Sequence, residues 1–126
     1  MPLIINIARK EGGAFTISLS GSLDSDTYTE LEGKLKPILV PSTKALVFDM
    51  QGVKYISSMG LGVIFEAKES ITKNNGAFIL TNLQPQVKKV FEVIRALPSM
   101  NVFESLEEVD AYLAAIQRED TDQKMR

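Results

Sequence analysis

This chain contains neither cysteine nor histidine. Without cysteine it cannot form an internal disulfide or offer a thiol nucleophile. Without histidine it lacks the commonest metal ligand in proteins and the commonest general base. These absences argue against most hydrolase and metalloenzyme mechanisms, so we expect no enzymatic activity, no metal site and no organic cofactor.

The chain has no large excess of positive or negative charge. It contains 14 lysine and arginine residues and 16 acidic residues, which gives a net charge of −2. There is no basic run, and the few aromatic residues are not interleaved with arginines, so nothing favours direct binding to nucleic acid. Long apolar runs are also missing. The apolar start, Met1 to Ile5, is too short for a signal-peptide core and has no basic segment before it. We therefore predict a cytoplasmic protein with no membrane insertion.

The length of 126 residues suits one domain with its own hydrophobic core. A hydrophobic content of 44% and a charged content of 24% are ordinary for a soluble globular protein. No repeat or linker divides the chain, and the stretch that follows Gln117 is polar throughout. We predict a single domain over residues 1–117 and a polar tail, residues 118–126, that frays.

Two segments near the start alternate apolar and polar residues, and Glu11-Gly12-Gly13 supplies a turn between them. This pattern predicts a β-hairpin with one buried face. Gly21 is expected to end the second strand. The predicted buried residues are Leu3, Ile5 and Ile7 on the first strand and Phe15, Ile17 and Leu19 on the second.

Helical stripes and short apolar strands alternate in the rest of the chain. Ala45 to Met50 shows no alternation, which is typical of a central strand covered on both faces. The order ββαβαβαβα predicts an α/β fold: a mixed sheet in which an N-terminal hairpin is followed by alternating strands and helices, covered by about four helices. The predicted inward stripes are Leu31/Leu35/Ile38, Leu61/Ile64/Ile71, Val87/Val90/Phe91/Ile94 and Leu106/Val109/Leu113/Ile116.

The segment Ser57-Ser58-Met59-Gly60-Leu61-Gly62 joins the central strand to a helix that is expected to begin near Gly60. A serine at a helix start lies among unpaired backbone N–H groups and at the positive end of the helix dipole. Such a position tolerates a phosphate well. The simpler interpretation of Ser58 is a helix N-cap without a regulatory role, which would be worth ~1 kcal/mol.

Two polar loops, Gly21–Asp26 and Gln51–Ser58, are predicted to emerge at the same edge of the sheet if their strands run parallel. For Asp24, a role as a turn or cap residue and a role in partner contact are evenly balanced. For Asp49 we favour a structural carboxylate bonded to loop N–H groups. Gly60 and Gly62 are interpreted first as structural residues that let the loop and the helix pack tightly against the sheet. Gly60-Leu61-Gly62 alone is a weak phosphate-binding signal, and no P-loop lysine follows it.

The residues from Phe48 to Val63, FDMQGVKYISSMGLGV, resemble the signature of STAS domains, especially the stand-alone bacterial anti-sigma factor antagonists. Gly21-Ser22-Leu23-Asp24 resembles the end of that family's second strand, and Asn82 to Val87 resembles its approach to the third helix. The resemblance covers roughly residues 3 to 116, nearly the whole predicted domain.

The resemblance implies that the protein binds an anti-sigma factor that is also a serine kinase, displaces the sigma factor and so regulates transcription indirectly. The kinase would phosphorylate Ser58 and end the complex, and a PP2C-type phosphatase would restore it. Ser57 stands where the family commonly has an aspartate and is the alternative phosphate acceptor. Met59 stands where the family commonly has serine or threonine, and its flexible apolar side chain suits a protein interface.

Two alternatives keep the fold and change the role. One is a constitutive STAS adaptor in a sensor or transport complex, with Ser58 only a cap. The other is a small-ligand or nucleotide-binding module that uses the same strand edge. The partner-binding set implied by the resemblance is Ser22, Asp24, Ser57, Ser58, Met59, Gly60, Gly62 and Val63.

Overall fold

The computed structural model describes residues 2–93 and 101–114. Within these residues five strands and four helices follow the predicted order, so the α/β class and the element sequence are confirmed. The elements are β1 (Ile4–Lys10), β2 (Ala14–Leu23), α1 (Tyr28–Leu35), β3 (Ala45–Ile56), α2 (Ser58–Lys73), β4 (Ala77–Thr81), α3 (Pro85–Val93), β5 (Asn101–Phe103) and α4 (residues 106–114).

The sheet is mixed, with the strand order β1-β2-β3-β4-β5. β1 and β2 form the predicted antiparallel hairpin, in which Ile7 pairs with Ile17. The other three pairs of neighbouring strands run parallel, so a crossover must connect the two strands of each pair. α1 lies in the crossover from β2 to β3, α2 in the one from β3 to β4, and α3 begins the one from β4 to β5. The carboxyl ends of β2, β3 and β4 therefore lie at one edge of the sheet.

The two faces of the sheet are covered unequally. The larger core cluster lies between the sheet and α1, α2 and α3, with Leu46, Phe48 and Met50 from β3 fully buried in it. The smaller cluster joins Val47 and Ile79, on the opposite face, to Val109 of α4. Ala45 to Met50 is thus a central strand covered on both faces, as its unbroken apolar sequence predicts.

β2 and β3 are both longer than the sequence predicts. Gly21 was expected to end β2, and Gln51 to Ser58 was expected to be a loop, but Gly21–Leu23 and Gln51–Ile56 remain in strand and pair with each other through irregular register. Gly21 has a φ of +109°, and a Cβ there would lie 2.1 Å from the carbonyl oxygen of Pro2. The glycine therefore permits the irregularity instead of ending the strand, because only a residue without Cβ fits there.

The expectation that Ile7 is buried is wrong, since its side chain is 40% exposed. Leu3 is buried in the larger core cluster and Ile5 is half-buried against it, whereas Ile7 is not part of that cluster. β1 is an edge strand and α1 has only eight residues, so the helix covers one end of β1 alone. Phe15, expected in the core, is half-buried and lies beneath the guanidinium of Arg9.

The helix stripes are confirmed where the structure describes them. Leu31, Leu35 and Ile38 are buried beneath α1 and the turn after it. The sequence Asn74-Asn75-Gly76 predicts the end of α2, and Asn75, with a φ of +62°, does follow that helix. The predictions for Ile94, for Ile116 and for the tail 118–126 lie outside the described residues. Every helix in the described part of the chain is too short or too polar to cross a bilayer.

Two buried threonines differ in whether their hydroxyl group has a hydrogen-bond partner, so substituting each of them tests what that bond contributes to stability. Thr81 is fully buried and its hydroxyl has no hydrogen-bond partner in the described part of the chain, whereas the hydroxyl of Thr43 donates to the carbonyl oxygen of Ile38. We expect Thr81→Val to raise the free energy of unfolding by roughly 1 kcal/mol, and Thr43→Val to lower it by about the same amount. Urea denaturation measures both changes, and equal destabilisation by the two substitutions would contradict the prediction.

Candidate functional site

The ends of β2 and β3 bring the two predicted polar segments together. The backbone N–H of Ser57 donates to the carbonyl oxygen of Leu23 at 2.9 Å, and Ser22 pairs with Tyr55 in the parallel ladder. The segment from Ser22 to Asp26 therefore lies beside the start of α2. The predicted meeting of these segments is confirmed, although strand residues and not only loops form it.

The two adjacent serines have different environments. Ser57 is the N-cap of α2: it has extended backbone, and its Oγ accepts a hydrogen bond from the N–H of Gly60 at 3.3 Å. Ser58 is the first residue of the helix, and it is exposed whereas Ser57 is half-buried. The expectations that the helix begins near Gly60 and that Ser58 is the capping residue are therefore wrong. The helix starts two residues earlier because Ser57 provides the cap.

Gly60 and Gly62 are both in the first two turns of α2, but their surroundings differ. A Cβ on Gly60 would lie 2.7 Å from both Cγ and the carbonyl oxygen of Leu23, so this glycine lets the helix approach the end of β2. A Cβ on Gly62 would meet nothing within 4 Å. The interpretation that both glycines permit tight packing against the sheet is thus confirmed for Gly60 and wrong for Gly62.

Asp24 organises the turn that leads into α1. Its Oδ1 accepts hydrogen bonds from the N–H groups of Asp26 at 2.9 Å and Thr27 at 3.1 Å. The N–H of Asp26 is the largest cause that holds the pKa of Asp24 below its ordinary value, and the hydroxyl and N–H of Thr27 act in the same direction. These hydrogen bonds establish the structural role of the carboxylate, whereas its contact with a partner stays a prediction.

Asp49 lies within β3, near the end of the strand's continuous buried segment. Its Oδ1 accepts hydrogen bonds from the N–H of Gln51 and from the side-chain amide of Asn82, each at 3.1 Å. These bonds confirm the structural role that we favoured for this carboxylate. They also link β3 to the residue that follows β4, where Asn82 has a φ of +58°.

Two exposed side chains with apolar surface lie close to Ser58 in the sequence, one three residues before it and one directly after it. Met59 is 45% exposed and Tyr55 is 55% exposed. Tyr55 is not among the predicted site residues, although an aromatic residue between Lys54 and the buried Ile56 is an available signal. Exposed aromatic and methionine side chains are typical of protein interfaces.

The remaining members of the predicted set divide by burial. Ser22 and Asp24 are half-buried at the end of β2, whereas Gly60 is buried and Val63 is only 4% exposed and belongs to the core. Val63 and Gly60 therefore support the surface from beneath. Among the described residues there is no group of three or more acidic side chains that could hold a metal ion.

Comparison with known proteins gives a consistent family. The STAS domain family matches residues 7–109. The anti-sigma-B factor antagonist of Staphylococcus aureus is 25% identical over 93 residues, which are 74% of this chain and 86% of the relative. BtrV of Bordetella bronchiseptica, which carries a provisional anti-sigma factor antagonist name, is 30% identical over 84 residues, or 67% and 72% of the two chains.

A solved structure has the same fold. It is the Bacillus cell fate determinant SpoIIAA in its phosphorylated form, which superposes with a TM-score of 0.70 at 19% identity and covers 86% of this chain and 99% of that one. The likeness extends over most of the two chains, so the mixed sheet and the helices around it are a shared architecture.

The hydrogen bonds to Asp24 generate a prediction of pH dependence. Because its pKa is lower in the folded protein than in the unfolded chain, the ionised carboxylate stabilises the fold above the unfolded pKa of about 3.9, and this contribution is lost as the pH falls further. We expect wild type to be more stable than Asp24→Asn at neutral pH. The difference should shrink on acidification to about pH 3. Denaturant titration across this range tests it, and a difference that does not change with pH would contradict it.

The two glycines of α2 form a second matched pair. We expect Gly60→Ala to lower the free energy of unfolding by roughly 1–3 kcal/mol, because the new methyl group would overlap Leu23. We expect Gly62→Ala to raise it by roughly 0.5–1 kcal/mol, because alanine has the higher helix propensity and open space receives its Cβ. Thermal and urea unfolding measure both. Destabilisation by Gly62→Ala would overturn the assignment of an open surface there.

Proposed function

Since this chain belongs to the STAS domain family, we propose that it acts as an anti-sigma factor antagonist. In this proposal it binds an anti-sigma factor that is a serine kinase, and it regulates transcription indirectly by freeing the sigma factor. Phosphorylation of Ser58 ends the complex, and a PP2C-type phosphatase restores the binding form. The names of the relatives from Staphylococcus and Bordetella support this assignment.

The observation that carries the proposal is the exposed hydroxyl of Ser58 at the N-terminus of α2. The first N–H groups of a helix have no intrahelical acceptor. Ser57 satisfies the N–H of Gly60, and in the described residues those of Ser58 and Met59 have no acceptor. These two groups and the positive end of the helix dipole would stabilise a phosphate on Ser58 at little cost to the fold. The phosphorylated form named for the Bacillus relative is consistent with this chemistry.

Ser57 is the poorer phosphate acceptor of the pair. Its Oγ is engaged as the cap of α2, and its side chain is half-buried. A kinase would have to break the cap, which is worth ~1 kcal/mol, before it could reach this hydroxyl. As a neutral residue at this position, Ser57 also places no charge that repels a phosphate on its neighbour.

The proposed contact surface consists of Ser22, Asp24, Ser58, Met59 and Tyr55, with the open helix surface at Gly62 beside it. Tyr55 and Met59 would contribute most of the apolar area, and the polar residues would lie at the rim.

A phosphate adds about −1.5 to −2 charges at Ser58. If the partner desolvates this surface, the phosphate loses its water and keeps only the two helix N–H groups and the helix dipole as compensation, so its burial costs free energy and the complex dissociates.

The protein serves as ligand and substrate in this scheme, and the chemistry belongs to its partners. No cofactor is required, and the proposed place of action is the cytoplasm.

Phosphorylation mapping tests the proposal directly. We expect wild type to gain one phosphate when it is incubated with ATP and a cell extract of its own organism, and Ser58→Ala to gain none. Ser57→Asn is the matched control, because asparagine caps a helix as well as serine but has no hydroxyl. This variant should still gain one phosphate. Intact-mass spectrometry with site mapping gives the result.

Binding to the kinase isolated from that extract then separates the switch from its alternative. We expect Ser58→Glu to weaken binding by at least roughly tenfold, a difference of about 1.4 kcal/mol, relative to Ser58→Ala. A phosphate on Ser57 only, or no phosphate in a kinase-competent extract, would contradict the proposal. Equal binding of the two Ser58 variants would favour the constitutive adaptor.

A further inference from the structure

β3 changes its periodicity of burial after Met50. Leu46, Phe48 and Met50 are buried in the larger core cluster at intervals of two residues, as expected for a regular strand. The next two members of that cluster on β3 are Val53 and Ile56, each three residues further along. Side chains three residues apart in a regular strand point to opposite faces, so the strand must contain an irregularity in each of these intervals.

The pairing of β3 with β2 contains both irregularities. Between Asp49 and Gly52, β3 has two residues where β2 has one, and between Val53 and Tyr55 it has Lys54 where β2 has none. Each is a β-bulge, which changes the direction of the side chains that follow it. In a regular strand Tyr55 would lie on the same face as buried Val53, but the bulge at Lys54 turns it outward, and its side chain is 55% exposed. The exposure of Tyr55, the largest side chain of the proposed contact surface, therefore depends on this bulge.

Two glutamine side chains bond the bulged part of β3 on the side away from β2. Within residues 2–93 and 101–114, the ladder between β3 and β4 ends at Asp49, so no strand pairs with the bulges on that side. The side-chain amide of Gln84 donates to the carbonyl oxygen of Gln51, and that of Gln86 donates to the carbonyl oxygen of Lys54 at 3.3 Å. Each accepting residue lies in one of the two bulges. The glutamines therefore bond β3 where a neighbouring strand would otherwise pair with it.

The start of α3 holds both glutamines in place. The carbonyl oxygen of Gln84 accepts a hydrogen bond from the N–H of Lys88 at 2.8 Å, which begins the helix. Pro85, the first residue of α3, has a restricted φ that suits this position. Val87 and Phe91 anchor the helix, because both are buried in the larger core cluster. The two amides thus extend from a helix whose position the core fixes.

We propose that Gln84 and Gln86 are positioning residues for the contact surface around Ser58, because they hold the two bulges that keep Tyr55 exposed. This inference deepens the proposed function and rests on it, since the exposure of Tyr55 has a role only if a partner contacts that surface. Without the two amides, residues 52–56 keep their pairing with β2 but lose their bonds on the opposite side, so this segment opens more often.

Hydrogen exchange of the backbone amides measures this opening without any partner. We expect a variant with Gln84→Met and Gln86→Met, which lacks both donors but keeps side chains of similar length, to exchange residues 52–57 at least roughly fivefold faster, with β1 unchanged. A variant with Gln84→Lys and Gln86→Lys keeps a donor at each position and should exchange within about twofold of wild type.

Asn74→Leu is the matched control for hydrogen exchange. It also removes a bond from a side-chain amide to a carbonyl oxygen, that of Ser70 at 3.1 Å, but at the far end of α2. We expect this variant to leave exchange of residues 52–57 unchanged. If the double methionine variant exchanges this segment at the rate of wild type or of Asn74→Leu, the inference is overturned.

A double-mutant cycle tests whether the glutamines act through Tyr55. The measured quantity is binding to the kinase isolated from the cell extract. We expect the double methionine variant to weaken binding by at least roughly fivefold when Tyr55 is present, and by less than about twofold when Tyr55 is already alanine. Equal weakening in both backgrounds would overturn the inference, because neither a general loss of stability nor a direct contact of the glutamines with the partner requires Tyr55.

The two measurements separate failure of this inference from failure of the proposed function. Unchanged exchange of residues 52–57 overturns the inference whether or not a kinase is found. Faster exchange in a protein that no kinase from the extract binds supports the hold of the glutamines on β3 and contradicts the proposed function instead.

Discussion

The backbone N–H of Ser57 donates to the carbonyl oxygen of Leu23, and this bond ties the start of α2 to the end of β2. It forms only because the helix comes close to the strand, and Gly60 permits that approach where any side chain would overlap Leu23. β2, which is distant in sequence from the other two elements, therefore ends where β3 ends and α2 begins. The position of Ser58 next to the turn of Asp24 depends on this contact.

The adjacent serines divide two tasks that a single residue could not perform together. A capping hydroxyl must point back at the helix N–H groups, whereas a modifiable hydroxyl must face solvent. Ser57 has the first geometry, with its Oγ on the N–H of Gly60, and Ser58 has the exposure that the second requires. The cap uses the Oγ of Ser57 and not that of Ser58, so we expect a charge at Ser58 to alter the surface while the helix start keeps its structure.

The unequal covering of the sheet places exposed apolar groups at two separate locations. Three helices cover one face, and α4 covers part of the other over β3 and β4. Tyr55 and Met59 are exposed at the carboxyl ends of the parallel strands, whereas Ile4 and Ile7 are exposed on the edge strand. Only the first of these locations belongs to the proposed contact surface, since Ile4 and Ile7 lie three residues apart on β1 and point to opposite faces of the strand.

The sequence by itself determined the class of fold, the order of the elements and the boundaries that depend on local chemistry. Periodicity fixed the hairpin, the central strand and the helical stripes, and Asn74-Asn75-Gly76 fixed the end of α2, because these signals act between residues close in the chain. The sequence also predicted that the segments after Gly21 and Gln51 meet at one edge of the sheet, and that Asp49 has a structural role, although its N–H donor, Gln51, lies in β3 and not in a loop.

Only the tertiary structure decided which serine caps α2, that β2 and β3 continue past Gly21 and Gln51, and that Gly62 faces open space while Gly60 faces Leu23. It also decided that Ile7 is exposed, although its alternation is the same as that of half-buried Ile5. The physical reason is common to these cases. The periodicity of apolar residues determines which face of a helix or strand a side chain lies on. Whether that side chain is exposed, or lies close to another element, depends on how far an element from elsewhere in the sequence extends over that face.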